Sequence, residues 1–158
     1  AVSLPASFGF HPAFRWPLPW GGARADHRLV FAEAEPAPIR RIDTTSGLVL
    51  PEPCPTPVEG DMVTVRDDLF VADALIFDQL RSRGVRFGVP GGRMLQIDFP
   101  GMPLLGIWTK PGAPFLCIEP WQGLTDPVGY DGDFRAKPYV IEVAPGAEHC
   151  FAIAVTIA

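Results

Sequence analysis

Glycine and proline are the residues that most constrain what this chain can fold into. The 158 residues include 16 glycines and 19 prolines, well above the average combined usage of about 12 %. They occur along the whole chain as breaks between short apolar segments. Such a pattern is typical of many short strands joined by turns. With 47 % apolar residues available for a core, the sequence predicts a single all-β domain, residues 1–158, built as a β-sandwich.

Alternation of large and small side chains supports this class. Within residues 150–157, every second residue from Phe151 to Ile157 is large and apolar, so we expect that face to pack against the core. A single helix-like segment, residues 66–72, is long enough for one or two turns. The predicted strands are 28–33, 39–43, 47–50, 61–65, 74–77, 85–89, 94–99, 104–108, 115–119, 139–143 and 150–157.

The charge balance excludes several classes of partner. The net charge is −5 with an isoelectric point near 5.1, and the basic residues are scattered. This argues against a surface for nucleic acid or for anionic membranes. No apolar run reaches the roughly 18 residues of a membrane-spanning helix, and the first residues lack the basic region of a signal peptide. We therefore expect a cytoplasmic protein with no nucleic-acid or membrane partner.

The cysteine pattern and the absence of other motifs argue against a cofactor. Cys54, Cys117 and Cys150 are an odd number of cysteines without a CxxC spacing, so we expect neither a disulfide framework nor a zinc site. Phosphate-binding loops and the G-x-S-x-G motif of serine hydrolases are also missing. The sequence predicts a site with no metal and no cofactor.

Glu119 is the most informative candidate for catalysis. It ends the apolar run that begins at Phe115 and is followed by a proline and a tryptophan. A carboxyl group buried there would have a raised pKa, which suits a general base; a strand-end glutamate pointing into solvent is the alternative. His11, set rigidly before Pro12, is a candidate general acid, or a structural turn residue. His27 and His149 are interpreted as surface residues.

A second group of residues is compatible with a carbohydrate site, although tryptophan is also a frequent core residue. Indole faces cover the apolar side of a sugar ring, while carboxylates accept hydrogen bonds from its hydroxyl groups. Trp108, Trp121 and Asp126 are placed at the site by their proximity to Glu119. Asp73 and Asp78 flank the run Ala-Leu-Ile-Phe, where strand-end caps are an equal possibility.

Five segments in order resemble the aldose 1-epimerase (galactose mutarotase-like) family, and together they span nearly the whole chain. They are GFHPAFRWPL at 9–18, DLFVADALIFD at 68–78, LGIWTKPG at 105–112, FLCIEPWQG at 115–123 and GDFRAKP at 132–138. The first and the fourth are the most specific.

The resemblance implies a galactose-mutarotase-like β-sandwich (supersandwich) and a cofactor-free isomerase that interconverts the α and β anomers of a hexose. His11 matches the family's catalytic acid in the His-x-x-Phe motif, and Glu119 matches its catalytic base. Asp73 is similar to the aspartate that binds sugar hydroxyl groups in the family.

Family members are about twice this length, and the chain resembles their carboxy-terminal portion. Their amino-terminal half supplies further strands and two more sugar-site side chains, an arginine and a histidine. A half sandwich would expose sheet edges, which must be paired or covered. We therefore expect a partner, either the missing half or a second copy.

Two other functions stay open at this point. One is a non-catalytic carbohydrate-binding or sugar-sensing module that keeps the fold and its aromatic residues. The other is a glycosidase that pairs Glu119 with Asp73 or Asp126. The sequence also leaves open whether the sugar carries a phosphate, since Arg15, Arg81 and Lys110 are available to bind one, although solvated surface charge is the favoured interpretation.

Overall fold

The computed structural model describes residues 1–158, which form eleven β-strands and three short 3₁₀ turns. The strands are β1 (Leu4–Ala6), β2 (Ala13–Arg15), β3 (Arg28–Phe31), β4 (Met62–Thr64), β5 (Leu75–Phe77), β6 (Gly84–Gly88), β7 (Met94–Asp98), β8 (Leu104–Trp108), β9 (Phe115–Trp121), β10 (Ile141–Val143) and β11 (Ala154–Ile157). The 3₁₀ turns are Arg24–Asp26, Asp67–Phe70 and Phe134–Ala136. None of these helical turns has the length and apolar character needed to cross a membrane.

All strand pairs are antiparallel and form three sheets. Five strands pair in the order β11-β7-β6-β3-β4, four in the order β2-β9-β8-β5, and β1 pairs with β10 alone. The prediction of an all-β fold is confirmed. The predicted helix-like segment contains only the four-residue turn Asp67–Phe70.

The two larger sheets pack face to face around one core. Residues alternate between the faces of each strand, so each sheet contributes every second side chain. The five-stranded sheet contributes Leu29, Phe87 and Ile97, among others, and the four-stranded sheet contributes residues such as Ile107 and Ile118. All five are at most 1 % exposed. The opposite face of the four-stranded sheet is therefore free to build a site.

Two predicted strands, 39–43 and 47–50, are wrong. These residues form only isolated bridges, among them Ile42 with Val49. The Asp43 side chain accepts hydrogen bonds from the backbone N–H groups of Thr45 and Ser46, which favours a turn over a strand ladder. Two strands that sequence reasoning missed, β1 and β2, are only three residues long.

The predicted burial of the last strand is correct for its first half alone. Phe151 and Ile153 pack against the core, but Val155 and Ile157 are 44 % and 60 % exposed. Strand β11 pairs with β7 on one side and with no strand on the other. No layer covers either of its faces, so alternation alone could not predict which side chains are buried.

His27 was expected at the surface, and this prediction is wrong because its side chain is fully buried. Its Nε2 accepts a hydrogen bond from the backbone N–H of Leu18 at 2.9 Å. The other ring nitrogen, Nδ1, therefore carries the proton and donates to the carbonyl of Ala23 at 2.9 Å. His27 is thus a neutral structural residue that ties the loop before β3 to the core.

The contrast between β7 and β11 gives a matched stability prediction. Ile97→Val should lower the free energy of unfolding by about 0.5–1.5 kcal/mol, because it deletes a methylene from a fully buried side chain. Ile157→Val, the same substitution at an exposed position, should change it by less than about 0.5 kcal/mol. Urea denaturation midpoints measure both. Equal losses would contradict the exposure of Ile157.

Candidate functional site

The site is built on the face of strand β9 that points away from the core. Leu116 and Ile118 enter the sandwich core, so Cys117, Glu119 and Trp121 share the other face. Because β9 lies between β2 and β8, it is an inner strand and its polar side chains have little access to water. The carboxylate of Glu119 is 5 % exposed.

The register of the chain beside β9 places His11 opposite Glu119. Ala13 pairs with Cys117, and Gly9 forms a bridge with Trp121. His11 and Glu119 lie midway between these two pairs, so they face each other directly and their side chains project from the same face. The Nδ1 atom of His11 lies 3.5 Å from Oε1 of Glu119. Backbone pairing thus brings the two predicted catalytic residues together.

Two prolines reduce the number of backbone hydrogen bonds on either side of the His11–Glu119 pair. The remaining backbone hydrogen bonds run from Phe10 N to Pro120 O, from Ile118 N to Pro12 O and from Gln122 N to Phe8 O. Pro12 and Pro120 have no N–H group, so the reciprocal bonds to Ile118 and Phe10 cannot form. The segment that carries His11 is therefore held to β9 by about half of the backbone hydrogen bonds of a regular antiparallel pair.

Trp121 forms one wall of the site, and two glycines make room for its indole. A Cβ atom on Gly106, the residue of β8 that faces Glu119, would lie 2.4 Å from the Trp121 ring. A Cβ atom on Gly9 would lie 2.6 Å from Trp121 Cδ1. Any side chain at either position would displace the ring. Sequence reasoning missed both glycines, because their role depends on cross-strand pairing.

These side chains line a cavity of about 330 Å³, a size at the lower end of the range for small-molecule sites. Its lining residues are His11, Ile42, Asp73, Ala74, Trp108, Glu119 and Trp121. A second cavity of about 370 Å³ shares Ile42 and Trp121 with it and continues past Phe8 and Gly123. The two cavities together make a groove across this face of the sheet.

Asp73 reaches the cavity from a strained turn before β5. Its φ angle is +64°, in the left-handed region that costs energy for a residue with a side chain. The turn is held by Arg41, whose Nη1 donates to the backbone carbonyls of Leu69 and Asp73 at 2.9 Å each and of Ala74 at 3.2 Å. Arg41 was not predicted, and nothing in its local sequence indicates this role.

Burial controls the ionisation of Glu119. Loss of hydration raises the pKa of its carboxyl group to about 7, while the nearby His11 imidazole opposes this and the carboxylate of Asp73 adds to it. The side chains of Trp121 and Cys117 also lower the pKa of Glu119. Near neutral pH this carboxyl group can therefore both accept and release a proton.

Cys117 is the second titratable group beneath the site. Its thiol is buried next to Glu119, and burial together with that carboxylate raises its pKa to about 11. The thiol is therefore protonated at neutral pH and is a poor nucleophile. With His11 and Glu119 it is the group of side chains here that could hold a metal ion.

Two acidic candidates lie away from the cavity. Asp126 forms an ion pair with Lys137 at 2.6 Å, and Asp78 pairs with Arg40 at 2.9 Å. Five of the seven candidates named from the sequence therefore line the cavity, and Asp78 and Asp126 are the two exceptions. The basic residues considered for a phosphate, which are Arg15, Arg81 and Lys110, are exposed and do not line this cavity.

Comparison with known proteins identifies sequences and solved structures that are similar to this chain. No family model matches the chain. Chromosomal and plasmid forms of protein LacX from Lactococcus lactis subsp. lactis are each 33 % identical to it over 146 residues, which cover 90 % of this chain and 49 % of the relative. The chain therefore spans about half the length of the curated relatives it matches.

The chain also matches about half the length of similar proteins with solved structures. A galactose mutarotase-like protein from Lactobacillus casei is 25 % identical with a TM-score of 0.78, covering 99 % of this chain and 54 % of that one. A galactose mutarotase related enzyme from Lactobacillus acidophilus is 25 % identical with a TM-score of 0.76, covering 99 % and 53 %. A galactose mutarotase-like protein from Clostridium acetobutylicum, 16 % identical with a TM-score of 0.69, supports the fold.

The burial of Glu119 predicts a pH-dependent stability. Between about pH 4.5 and about pH 7 the folded chain binds more protons than the unfolded chain, so stability falls as pH rises through this window. Glu119→Gln removes the charge. Relative to the unsubstituted chain, its free energy of unfolding should therefore rise by about 3 kcal/mol from pH 4.5 to pH 8.

Urea denaturation at several pH values measures this difference. Glu52→Gln, at an exposed position, is the matched control and should follow the unsubstituted chain at every pH. Parallel curves for Glu119→Gln and the unsubstituted chain would contradict a raised pKa for Glu119.

Proposed function

On the premise that this chain has the fold of the galactose mutarotase-like proteins, we propose that it contributes a mutarotase site, in which Glu119 and His11 interconvert the α and β anomers of a hexose. The observation that carries the proposal is the pairing of a buried carboxyl group, with a pKa of about 7, and an imidazole 3.5 Å away. Both side chains line a cavity with tryptophan walls. No cofactor enters the reaction.

Ring opening needs one base and one acid. Glu119 removes the proton from the anomeric hydroxyl group while His11 gives a proton to the ring oxygen. The bond between the anomeric carbon and the ring oxygen breaks, and the electron pair of the former O–H bond forms the aldehyde carbonyl. Each proton transfer contributes about 10²–10⁴-fold to the rate.

Closure reverses these roles and completes the cycle. Rotation about the C1–C2 bond presents the other face of the aldehyde to the ring hydroxyl group. His11 takes back its proton from this hydroxyl group, and Glu119 returns its proton to the new anomeric oxygen. Both residues then have their starting protonation states, and no atom is gained or lost.

Binding of the sugar requires the side chains of His11 and Glu119 to move apart. Their 3.5 Å contact occupies the position that a hemiacetal must take, and catalytic contacts in a site without substrate commonly differ from those in the complex. Glu119 is fixed on an inner strand, whereas the His11 side chain is 67 % exposed. The imidazole is therefore the group that moves aside and then contacts the ring oxygen.

The remaining cavity residues supply orientation. Trp108 and Trp121 offer indole faces to the apolar side of the ring, and the carboxylate of Asp73 accepts from a hydroxyl group. The exposed basic residues Arg15, Arg81 and Lys110 do not line the cavity, which favours an unphosphorylated hexose.

Polarimetry of freshly dissolved α-glucose and α-galactose tests the proposal. The chain should accelerate mutarotation of at least one sugar. Its rate should rise with pH on the acid side of about pH 7 as Glu119 loses its proton, and it should not keep rising in alkali, because the reactive form also needs the proton on His11. Glu119→Gln and His11→Asn should each lower the rate by about 10²-fold or more, because each removes one proton transfer.

His149→Asn and Glu52→Gln are the matched controls and should keep the rate, since both positions are exposed and outside the cavity. Sugar-dependent tryptophan fluorescence without acceleration would overturn the enzyme in favour of a carbohydrate-binding module. Release of reducing sugar from a glycoside would favour a glycosidase that uses Glu119 and Asp73.

We further propose that a segment equivalent to the other half of the family fold covers the exposed edges. The whole chain superposes on 54 % of one longer chain, so in that protein the remaining residues belong to the same polypeptide. Here β1 and β11 each pair on one side only. Leu4 on β1 and Ile157 on β11 are 65 % and 60 % exposed, which is the character of covered surface in a larger fold.

Light scattering of the chain expressed alone tests this proposal against a second copy. We expect a monomer of 17.2 kDa that binds an apolar dye, because nothing covers β1 and β11. Val155→Lys with Ile157→Lys should reduce the dye binding and leave the mass unchanged. A dimer that these two substitutions dissociate would overturn the proposal and identify a second copy as the cover.

A further inference from the structure

Three different metal-binding groups meet on the site face of β9. They are an imidazole nitrogen of His11, Sγ of Cys117 and a carboxylate oxygen of Glu119, and these atoms all lie within 4.8 Å of one another. The Nδ1 atom of His11 is the nitrogen 3.5 Å from Glu119 Oε1. We propose that this trio binds a Zn²⁺ ion that competes with the sugar. The binding itself does not depend on the proposed function, whereas its inhibitory consequence does.

The donor set selects the metal. One imidazole nitrogen, one thiolate and one carboxylate oxygen are the three donor types found in zinc sites. Magnesium and calcium prefer oxygen ligands only, so a buried thiolate excludes them. Three protein ligands leave a fourth tetrahedral position for water. Two of the three ligands, His11 and Glu119, line the cavity of about 330 Å³.

The geometry requires only a small adjustment. Tetrahedral bonds of about 2.0–2.3 Å place ligand atoms about 3.3–3.7 Å apart. The His11–Glu119 pair already has a separation of 3.5 Å. Cys117 and Glu119 project from the same face of one strand, two residues apart. The 4.8 Å limit on the separations exceeds this range by up to about 1.1–1.5 Å, and rotation of the exposed His11 side chain can shorten its distances to the other two ligands.

Binding has a defined proton balance and a defined effect. Zn²⁺ displaces two protons to solvent, the thiol proton of Cys117 and the proton that His11 or Glu119 carries in the proposed cycle. The freed lone pairs of Sγ, of Nδ1 and of a carboxylate oxygen then form the three zinc bonds. The lone pairs that would move protons during ring opening are then occupied. Zinc therefore inhibits the site.

The spacing of the cysteines predicts no zinc site, and the structure explains the difference. His11 is 106 residues before Cys117, and only the register beside β9 brings them together. The other cysteines, Cys54 and Cys150, belong to no such group and serve as matched controls.

Titration with Co²⁺, followed by its absorption spectrum, tests the site without any activity assay. One equivalent should bind and produce the intense thiolate-to-cobalt charge-transfer band and the d–d bands of a tetrahedral ion, and one equivalent of Zn²⁺ should remove both. Cys117→Ser should abolish the charge-transfer band, whereas Cys54→Ser and Cys150→Ser should keep it.

His11→Asn provides a second variant at an exposed side chain, where folding is not at risk. It should weaken Zn²⁺ binding by more than about tenfold. Loss of a residue that only hydrogen-bonds to a metal ligand already lowers metal affinity by about 10–100-fold, and His11 is proposed as a ligand itself. A charge-transfer band retained by Cys117→Ser, an affinity unchanged in His11→Asn, or no stoichiometric Co²⁺ binding by the unsubstituted chain would overturn the proposal. A mutarotase assay that fails while Co²⁺ binds would overturn only the proposed function.

Discussion

The direct pairing of His11 with Glu119 across the edge of the four-stranded sheet is the contact on which the site depends. It follows from the register that joins Ala13 to Cys117 and Gly9 to Trp121. A slip by one residue would turn Glu119 into the core and Ile118 into the cavity, because strand faces alternate. The apolar residues of β9 therefore fix the position of its polar ones.

This arrangement is unfavourable for the ionised form of Glu119. The carboxyl group of Glu119 loses hydration because it is buried, and the basic side chain beside it, the His11 imidazole, is itself largely exposed. The protein therefore holds an acid whose pKa is near 7. A solvent-exposed glutamate would be more favourable for stability, but it would release its proton at too low a pH to take part in exchange near neutrality.

Local patterns predicted the fold class and most strands, because glycine and proline mark turns and alternation marks half-buried strands. They failed where burial depends on a distant layer, as for Ile157, or where polar atoms are satisfied locally, as for His27. Family motifs predicted His11 and Glu119. Gly106 and Arg41 escaped prediction because their roles appear only when strands and turns far apart in sequence meet.

The two prolines beside the site have a mechanical consequence. Glu119 belongs to a strand that is hydrogen-bonded on both sides, so the proposed base stands on the more firmly held of the two segments. His11 lies on a segment from which Pro12 and Pro120 remove every second hydrogen bond. In the mechanism proposed above, the acid is thus the more compliant member of the pair. We expect the His11 segment, and not the sheet, to adjust to differences in ring pucker or hydroxyl orientation among sugars.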